Sequence, residues 1–367
     1  MSSLLGSISL STVVSSTYYL LIFIFIFYGG RIQSRLSLGS IGKSLGRLES
    51  MRDKAKRDVV DYFELKGSLT GDVGERIDRF LDYVTIMPVD MDPTGIMRKI
   101  GHIAETSDDR ARAEIKSIIG GADAVSISVA QNMLELASGL STIHKVVRHY
   151  YLLGNRTSSS MALMQLQMSL PQIMERANAM SKAMDSVKTG MPIGDGVGPL
   201  VASKFLGDGP KQTVAKDTVV GTTAFDGRTL YVMKAEGPMG YVGQPGVAMQ
   251  RLVEEMKVPL AAIIMVDAAA KLEGEETGEV VEGVGAAIGG LGVEKFQIEE
   301  VATKHNIPVY AVLVKEGDLD VMATMKKEIT EGAERAVSLV KRIIQERTKV
   351  GEAVLLAGLG NTLGVGQ

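Results

Sequence analysis

The segment Pro192-Ile-Gly-Asp-Gly-Val-Gly-Pro199 separates two parts of the chain that have different sequence patterns. Before it, apolar residues recur at helical spacing. After it, short apolar runs of strand length alternate with helical segments, the pattern of a mostly parallel sheet. Within the segment, Asp195 stands between glycines and just before a helical stretch at residues 200–206. Because glycines let a backbone approach a ligand closely, the segment predicts a loop that carries a carboxylate into a site.

Two other strand ends are predicted to meet this loop. Residues 260–266 form a continuous apolar run that Asp267 follows directly, and residues 353–357 form another that leads into Gly358-Leu-Gly-Asn361. In α/β sheets the carboxyl ends of the strands carry the groups that contact ligands. We therefore expect Asp195, Asp267 and Asn361 to surround one site.

Composition excludes several classes of function. The chain has 367 residues, 45% of them hydrophobic, which is enough for two domains with real cores. A net charge of −3 without a clustered basic face argues against binding to nucleic acid. The absence of cysteine excludes disulfides, thiolate zinc sites and a cysteine nucleophile.

The N-terminal segment predicts a membrane anchor. Residues 1–30 contain no charged side chain, and the stretch from Tyr18 to Tyr28 is strongly apolar. Extended back through Ile8, it reaches the ~20 residues that a spanning helix needs. Basic residues follow the apolar stretch instead of preceding it, unlike in a signal peptide. The pattern predicts a single-pass helix that contacts membrane lipid and leaves the later domains in the cytoplasm, with a helix lying in the membrane interface as the alternative.

The predicted fold class is α+α/β, divided into three regions. Residues 1–30 are the transmembrane anchor. Residues 31–190 are an all-α domain, with a juxtamembrane helix at 31–71 and a bundle at 72–190. Residues 191–367 are a three-layer α/β/α domain with a mostly parallel sheet. Helix breaks are expected at Pro88, Pro93, Gly120-Gly121 and Gly154-Asn155, and Asp226-Gly227 predicts a hairpin. Residues 268–293 are too long for a simple connection and predict a functional loop.

The methionines of the helical region have two interpretations. Met161, Met164 and Met168 fall at helical spacing, as do Met180 and Met184, which fits either packing in a core or an adaptable groove for a partner. Core packing is the interpretation that we adopt from the sequence.

Four motifs carry a resemblance to a known family. They are Asp195-Gly-Val-Gly-Pro199, Ile263-Ile-Met-Val-Asp-Ala268, Gly289-Gly-Leu-Gly-Val-Glu-Lys295 and Ile307-Pro-Val-Tyr-Ala-Val312. Over residues 192–367 their order and spacing resemble the bacterial spore germination protease and, more loosely, the hydrogenase maturation peptidases. The whole chain also resembles an uncharacterised archaeal family of membrane-anchored proteins, and that likeness supplies no activity.

One motif departs from the family pattern. In those families a strand that ends in Gly-x-Gly-Asn comes immediately before the Asp-Gly-x-Gly-Pro segment, whereas here Gly358-Leu-Gly-Asn361 lies at the opposite end of the sequence. Circular permutation reconciles the two, because a strand needs only to be adjacent in space.

The resemblance implies roles for the site residues. Asp195 and Asp267 match the acidic residues that form a carboxylate pair in the germination protease and bind metal in the maturation peptidases. Two close carboxylates do not both ionise easily, so either one stays protonated or a divalent cation neutralises both. The metal-binding histidine of the maturation peptidases has no counterpart here. Asn361 is expected to orient a water or a substrate carbonyl, and Gly196, Gly198, Gly358 and Gly360 to bind the substrate or an oxyanion.

The expected function is that of a membrane-anchored cytoplasmic peptidase-like hydrolase, in which the Asp pair activates water against a protein substrate. The alternative is a non-catalytic, membrane-associated binding or scaffold protein that keeps the fold and binds a partner through its helical domain. The structural explanation of Asp195 is a helix N-cap, and that of Asp267 is a strand terminator. Nucleotide binding is disfavoured because the chain has no Gly-x-x-x-x-Gly-Lys-Ser/Thr segment.

Overall fold

The computed structural model describes residues 10–66, 73–83, 95–157, 160–207, 209–290 and 292–366. Some of the sequence predictions fall outside this part of the chain. They are residues 1–9 of the expected anchor, residues 67–71 of the expected juxtamembrane helix, and the breaks at Pro88 and Pro93.

The prediction of an N-terminal transmembrane helix is corrected by the structure. The apolar stretch belongs to helix α1 (Leu10–Lys66), which is 57 residues long. The part of this helix that follows the apolar stretch is highly charged. Among the described residues, no helix combines the length and the apolar character that crossing a membrane requires. The uninterrupted apolar run covers only residues 18–28, about half of the ~20 residues needed, and serine and threonine precede it. The anchor therefore takes no part in the proposals below.

The chain forms two compact units, and helices α1, α4 (Ala124–Thr157) and α5 (Ser160–Thr189) contribute residues to both. The first unit contains the chain up to Asp53 together with Leu140–Ala177. Its core includes Ile41, Leu48, Leu140, Val147, Leu163, Leu166 and Leu170.

The methionines of the first unit do not pack as expected. The side chains of Met161, Met164 and Met168 are 76%, 49% and 74% exposed. The core-packing interpretation is wrong for these three residues, because other residues of the same helix, such as Leu163 and Leu166, form the buried face. It is confirmed for Met184, which is 1% exposed.

The second unit contains Lys54–Gly139 and Asn178–Gln367. It includes α2 (Val73–Leu81), α3 (Ile96–Ile118) and the first part of α4. The predicted break at Gly120-Gly121 is confirmed: α3 ends before it, and Gly121 adopts a φ of 86°. The predicted break at Gly154-Asn155 is wrong, because α4 continues through both residues to Thr157. Asp123 then caps α4 by accepting the Ser126 N–H at 2.8 Å.

A seven-stranded sheet forms the centre of the C-terminal region. Its strands are β1 (Lys211–Ala215), β2 (Thr218–Phe225), β3 (Arg228–Ala235), β4 (Leu260–Ala270), β5 (Val280–Val284), β6 (Val309–Glu316) and β7 (Ala353–Gly358). Their spatial order is β1-β2-β3-β7-β4-β6-β5.

The sheet is mixed, so the prediction of a mostly parallel sheet is wrong. Strands β3, β7, β4 and β6 are parallel, whereas β1, β2 and β5 pair antiparallel. Two-residue turns at Lys216-Asp217 and Asp226-Gly227 impose the antiparallel pairing, and the second is the predicted hairpin. The expected loop at 268–293 contains β5, which returns along β6.

Helices cover both faces of the sheet. On one face α6 (Val197–Leu206) and α9 (Lys327–Arg347) pack against Val232, Ile264 and Leu356. On the other face α7 (Pro245–Gln250) and α8 (Val293–Lys304) pack against Met233, Ile263 and Leu355. Successive side chains of a strand point to opposite faces, so the continuous apolar runs of β4 and β7 fill both cores.

Candidate functional site

The loop that carries Asp195 is held by its main chain. Residues 194–196 form a single 3-10 turn before α6, and the N–H groups of Gly194 and Asp195 donate to the carbonyls of Ala323 and Val321. Gly196 is the N-cap of α6, and no side chain caps this helix. The carboxylate of Asp195 is therefore not used as the predicted N-cap and is available for another role.

Asp195 and Asn361 are in direct contact. The main-chain N–H of Asn361 donates to Asp195 Oδ2 at 2.8 Å. The side chain of Asn361 is itself fixed, because Nδ2 donates to the Gly240 carbonyl at 3.1 Å and Oδ1 accepts the Leu363 N–H at 2.8 Å. The loop that follows β7 thus lies beside the Asp195 loop.

Asp267 lies inside a strand and is almost completely buried. Strand β4 continues to Ala270, so Asp267 does not terminate it. Its side chain is 8% exposed, and Oδ1 accepts the Ala268 N–H at 2.9 Å.

The four glycines that we predicted to bind substrate allow close packing at this point. A Cβ at Gly198 would overlap the carbonyl oxygens of Leu359 and Val266, and one at Gly358 would overlap the Gly198 carbonyl. Gly360 has a φ of 119°, and a Cβ there would overlap the Asp195 carbonyl. The N–H of Gly196 already donates to the Ile193 carbonyl. Of the four, Gly360 lines the cavity described next, and a binding role for them stays a prediction.

A cavity of about 770 Å³ within the second unit brings the predicted residues together. Asp195, Asp267 and Asn361 all line it. The remaining walls come from α3, α4, the turn between β1 and β2, the loop at 240–244 and Gly289-Gly290. Enclosed, partly apolar cavities with a few converging polar groups are the usual form of small-ligand and active sites.

The two aspartates of the cavity influence each other's ionisation. Burial, followed by the charge of Asp195, raises the pKa of Asp267 to about 8. Burial also raises the pKa of Asp195, and the N–H of Asn361 opposes that rise. The charge of Asp195 raises the pKa of Asp267, so Asp195 is the first of the pair to lose its proton and Asp267 keeps its proton up to pH about 8.

A third buried carboxyl lies behind the pair and was missed in the sequence. Glu316, the last residue of β6, is completely buried, and neither of its carboxyl oxygens has a partner among the described residues. Burial, together with the charges of Asp195, Asp320 and Asp267, raises its pKa to about 8. A Cβ at Gly194 would overlap Glu316 Oε2, so this carboxyl lies directly under the Asp195 loop. Its position just after an apolar run, like that of Asp267, was the available signal.

A network of charged residues on the helical wall was also missed. Arg112 of α3 donates from Nη1 to Asp217 Oδ1 at 3.0 Å, and its guanidinium lies 4.5 Å from the centre of the Tyr241 ring. Lys216 donates to Asp108 and Asp109, both at 2.6 Å. In the sequence these residues have the pattern of an ordinary solvated helix face, and nothing distinguishes them.

The side chains around the pair do not form a metal centre by themselves. Within the part of the chain that the structure describes, no three His, Asp or Glu side chains are arranged to hold a metal ion. Asp195 and Asp267 would supply two carboxylates, which is one fewer than a catalytic metal site commonly takes from its protein. No step below is assigned to a metal.

Comparison with known proteins identifies two regions of the chain. Residues 16–190 match the family model described as "Protein of unknown function (DUF1512) N-terminal domain", and residues 193–366 match "Domain of unknown function (DUF1512) C-terminal". Neither a curated protein nor a solved structure matches the chain. These matches do not link the chain to the germination protease, to hydrolases, to membrane proteins or to archaea. The expectation of an archaeal, membrane-anchored protein therefore has no support from these matches.

Proposed function

Because the chain belongs to the DUF1512 family, whose function is unknown, we propose its function from the cavity itself: acid–base hydrolysis of a peptide bond by Asp195 and Asp267. The observation that carries the proposal is that Asp195 and Asp267 both line one cavity, where burial and the charge of Asp195 raise the pKa of Asp267. The resemblance to the germination protease supports the same class of reaction.

The two carboxyls have complementary tasks in this reaction. The Asp195 carboxylate accepts a proton from a water molecule as the water oxygen bonds to the carbonyl carbon. The protonated Asp267 donates its proton to the carbonyl oxygen. When the tetrahedral intermediate collapses, the proton on Asp195 passes to the leaving nitrogen and the C–N bond breaks. The hydroxyl proton of the intermediate returns to Asp267, so the pair is regenerated.

The surroundings favour this division of tasks. Asn361 holds Asp195 in place through its main-chain N–H, and Gly240 and Leu363 hold Asn361. A carboxyl that stays protonated near neutral pH can act as an acid. Asp267 stays protonated there because burial raises its pKa. The low polarity of the site also strengthens its interaction with charge that develops on the substrate.

Replacing either carboxyl tests the proposal. We expect Asp195→Asn and Asp267→Asn to lower kcat for quenched fluorescent peptides by a factor of about 10² to 10⁴, because each removes one proton transfer. Asp318→Asn is the matched control, since Asp318 is exposed and does not line the cavity. Circular dichroism and thermal unfolding report whether the variants fold.

Full activity in folded Asp267→Asn would contradict the proposal. Binding of peptides without cleavage by the unmodified protein would also contradict it, and would favour the alternative of a non-catalytic binding protein.

A further inference from the structure

The cavity has an excess of acidic groups. Its lining includes seven carboxyl side chains and only two basic ones, Arg112 and Lys216. The carboxyls belong to Glu105, Asp108, Glu135, Asp195, Asp217, Asp267 and Glu294. Both basic side chains are already paired, Arg112 with Asp217 and Lys216 with Asp108 and Asp109. Even with one proton on the Asp pair, the lining keeps a net negative charge.

On α3 and α4, Glu105 and Glu135 are the lining carboxylates that this pairing leaves over, and Glu135 of α4 is the one that a neighbouring side chain holds. Its side chain lines the cavity and is accessible to solvent, and no lysine or arginine of the described residues forms an ion pair with it. Its Oε1 accepts a hydrogen bond from Gln131 Nε2 at 3.1 Å. The protein around the Glu135 carboxyl desolvates it and so raises its pKa; the charge of Asp108 adds to that rise, whereas the Gln131 hydrogen bond and the charge of Arg112 oppose it.

Gln131 is oriented to hold Glu135, at a cost to its own hydrogen bonding. Its Nε2 donates to both Asp108 and Glu135, so the orientation of the amide is fixed by two carboxylates. Its Oε1 is buried and has no donor among the described residues. A buried acceptor without a donor destabilises the folded state. The orientation of Gln131 that holds Glu135 at the cavity is therefore one that lowers the stability of the fold.

Helix α4, which carries Gln131 and Glu135, is connected to the Asp pair through the carbonyl group of Gly240. Asn132, the residue after Gln131, donates to the Gly240 carbonyl at 3.4 Å, and Asn361 donates to the same oxygen at 3.1 Å. Asn361 in turn holds Asp195. Glu135 is one helical turn from Asn132, which places their Cβ atoms about 5–6 Å apart. Glu135 and the Asp pair line one cavity, so a single ligand can contact both.

We propose that Glu135, held by Gln131 and flanked by Asp108, binds an alkylammonium or guanidinium group of the substrate. The cavity then takes peptides with a lysine or arginine side chain or a free amine near the bond that is cleaved. A cation there supplies the partner that Glu135 lacks, in a partly desolvated place where charge-assisted hydrogen bonds are strong. That the bound cation belongs to a substrate rests on the proposed function, whereas the binding of a cation does not.

Calorimetric titration of the full chain tests the binding. The probes are the N-acetyl methylamides of lysine, arginine and the isosteric norleucine, with glycine methylamide as a probe with a free amine. We expect at least one cationic probe to bind about tenfold or more tightly than norleucine, and its affinity to fall with added salt. The ranking of the cationic probes shows which source of positive charge the site selects. Equal affinities for norleucine and all cationic probes, or no saturable binding, would overturn the inference.

A charge-neutral replacement locates the site. Glu135→Gln should weaken binding of the preferred cationic probe about tenfold and leave norleucine unchanged. Glu346→Gln, an exposed glutamate outside the cavity, is the matched control and should change neither. Glu135→Asp keeps the charge, so it should retain part of the preference if the first variant folds poorly. Unchanged affinity in folded Glu135→Gln contradicts the inference.

The same titration with Asp267→Asn separates the two proposals. Selective cation binding in a protein that cleaves no peptide retains this inference and overturns the proposed hydrolysis. Cleavage that Asp267→Asn abolishes, without any preference for basic peptides, does the reverse.

Discussion

Individual carboxyl groups determine the electrostatics of the site. Asp195, Asp267 and Glu316 are buried close enough together for their charges to influence one another, and burial raises the pKa of each. Full ionisation would place three negative charges in a region of low dielectric constant, so protons take the place of counter-ions. Proton uptake is therefore coupled both to the stability of the fold and to the proposed reaction.

Glu316 should make the fold less stable as the pH rises. In the folded state its carboxyl keeps a proton up to pH about 8, whereas the unfolded chain releases it near the ordinary value of 4.5. The contribution of Glu316 to the free energy of unfolding is fully present below pH 4.5 and is lost as the pH rises toward 8. Glu316→Gln mimics the protonated form. We expect it to raise the free energy of unfolding by on the order of 3 kcal/mol at pH 9, with little effect at pH 4.5.

Urea denaturation of the protein and of Glu316→Gln at pH 4.5, 7 and 9 measures this difference, with Glu346→Gln as the exposed control. A stability difference that does not change with pH would show that Glu316 does not titrate as described.

The proposed reaction should depend on pH at both limits. The rate falls as the pH rises through about 8, because Asp267 loses the proton that it donates. The rate also falls in acid, where Asp195 becomes protonated and can no longer accept a proton from water. Because the pKa of Asp195 is raised, this fall occurs at a higher pH than the ordinary pKa of an aspartate would give. We expect a bell-shaped profile of kcat/KM, measured on a neutral peptide so that the substrate itself does not titrate. A profile that is flat between pH 6 and 9 argues against Asp267 as the acid.

At the scale of secondary-structure elements, the site depends on how closely α6 approaches the sheet. The first turn of α6 contacts the ends of β4 and β7 through Gly198, where the Leu359 and Val266 carbonyls leave no room for a side chain. This contact determines where the 3-10 turn holds Asp195 relative to Asp267 and Asn361.

Gly198→Ala should therefore destabilise the fold by several kcal/mol, because its methyl group would meet rigid main chain rather than a flexible side chain. Gly46→Ala is the matched control. Gly46 is also helical, a Cβ there meets nothing within 4 Å, and alanine should stabilise the helix by up to ~1 kcal/mol. Thermal and urea unfolding of both variants measure the effects, and equal stabilities would mean that α6 does not approach the sheet in this way.

The elements differ in how far the sequence predicted them. Strands β4 and β7 were predictable because their residues face two cores, which makes each an uninterrupted apolar run. The turn at Asp226-Gly227 was predictable because few residues other than Asn, Asp and Gly adopt its left-handed conformations. Strand β5 was not, because it lies at the edge of the sheet and its exposed side chains include Glu282 and Val284.

Parts of the site depend on contacts that the local pattern does not encode. The positions of Asp195, Asp267 and Asn361 followed from the rule that ligands bind at the carboxyl ends of strands. Gln131 and Glu135 follow no such rule, because a polar residue on a helix usually faces solvent. Only the packing of α4 near the 240–244 loop places them at the cavity.

At the scale of the whole second unit, ion pairs connect the helices to the sheet. Arg112 joins α3 to Asp217 in the turn between β1 and β2, and Lys216 of the same turn pairs with Asp108 and Asp109. These contacts hold one wall of the cavity against another, so the shape of the site depends on both parts of this unit.

Arg112→Met should loosen that wall, because it leaves the partly buried Asp217 without its cation. We expect a loss of stability of about 1–3 kcal/mol and faster amide hydrogen exchange in α3 and in the loop at 240–244. Arg98→Met is the control on the same helix, since Arg98 is exposed and does not line the cavity. Exchange that is unchanged in α3 would show that the ion pairs do not hold this wall.

The place of β7 in the sheet also has a consequence for folding kinetics. It inserts between β3 and β4, so that Ala353 pairs with Thr229 on one side and with Leu260 on the other. Until that happens, β3 and β4 each present an unpaired edge that can recruit another chain. Because pairings between residues so far apart in sequence form slowly, refolding should pass through a phase sensitive to protein concentration. The Asp pair, which depends on the loop after β7, would be assembled only when this phase ends.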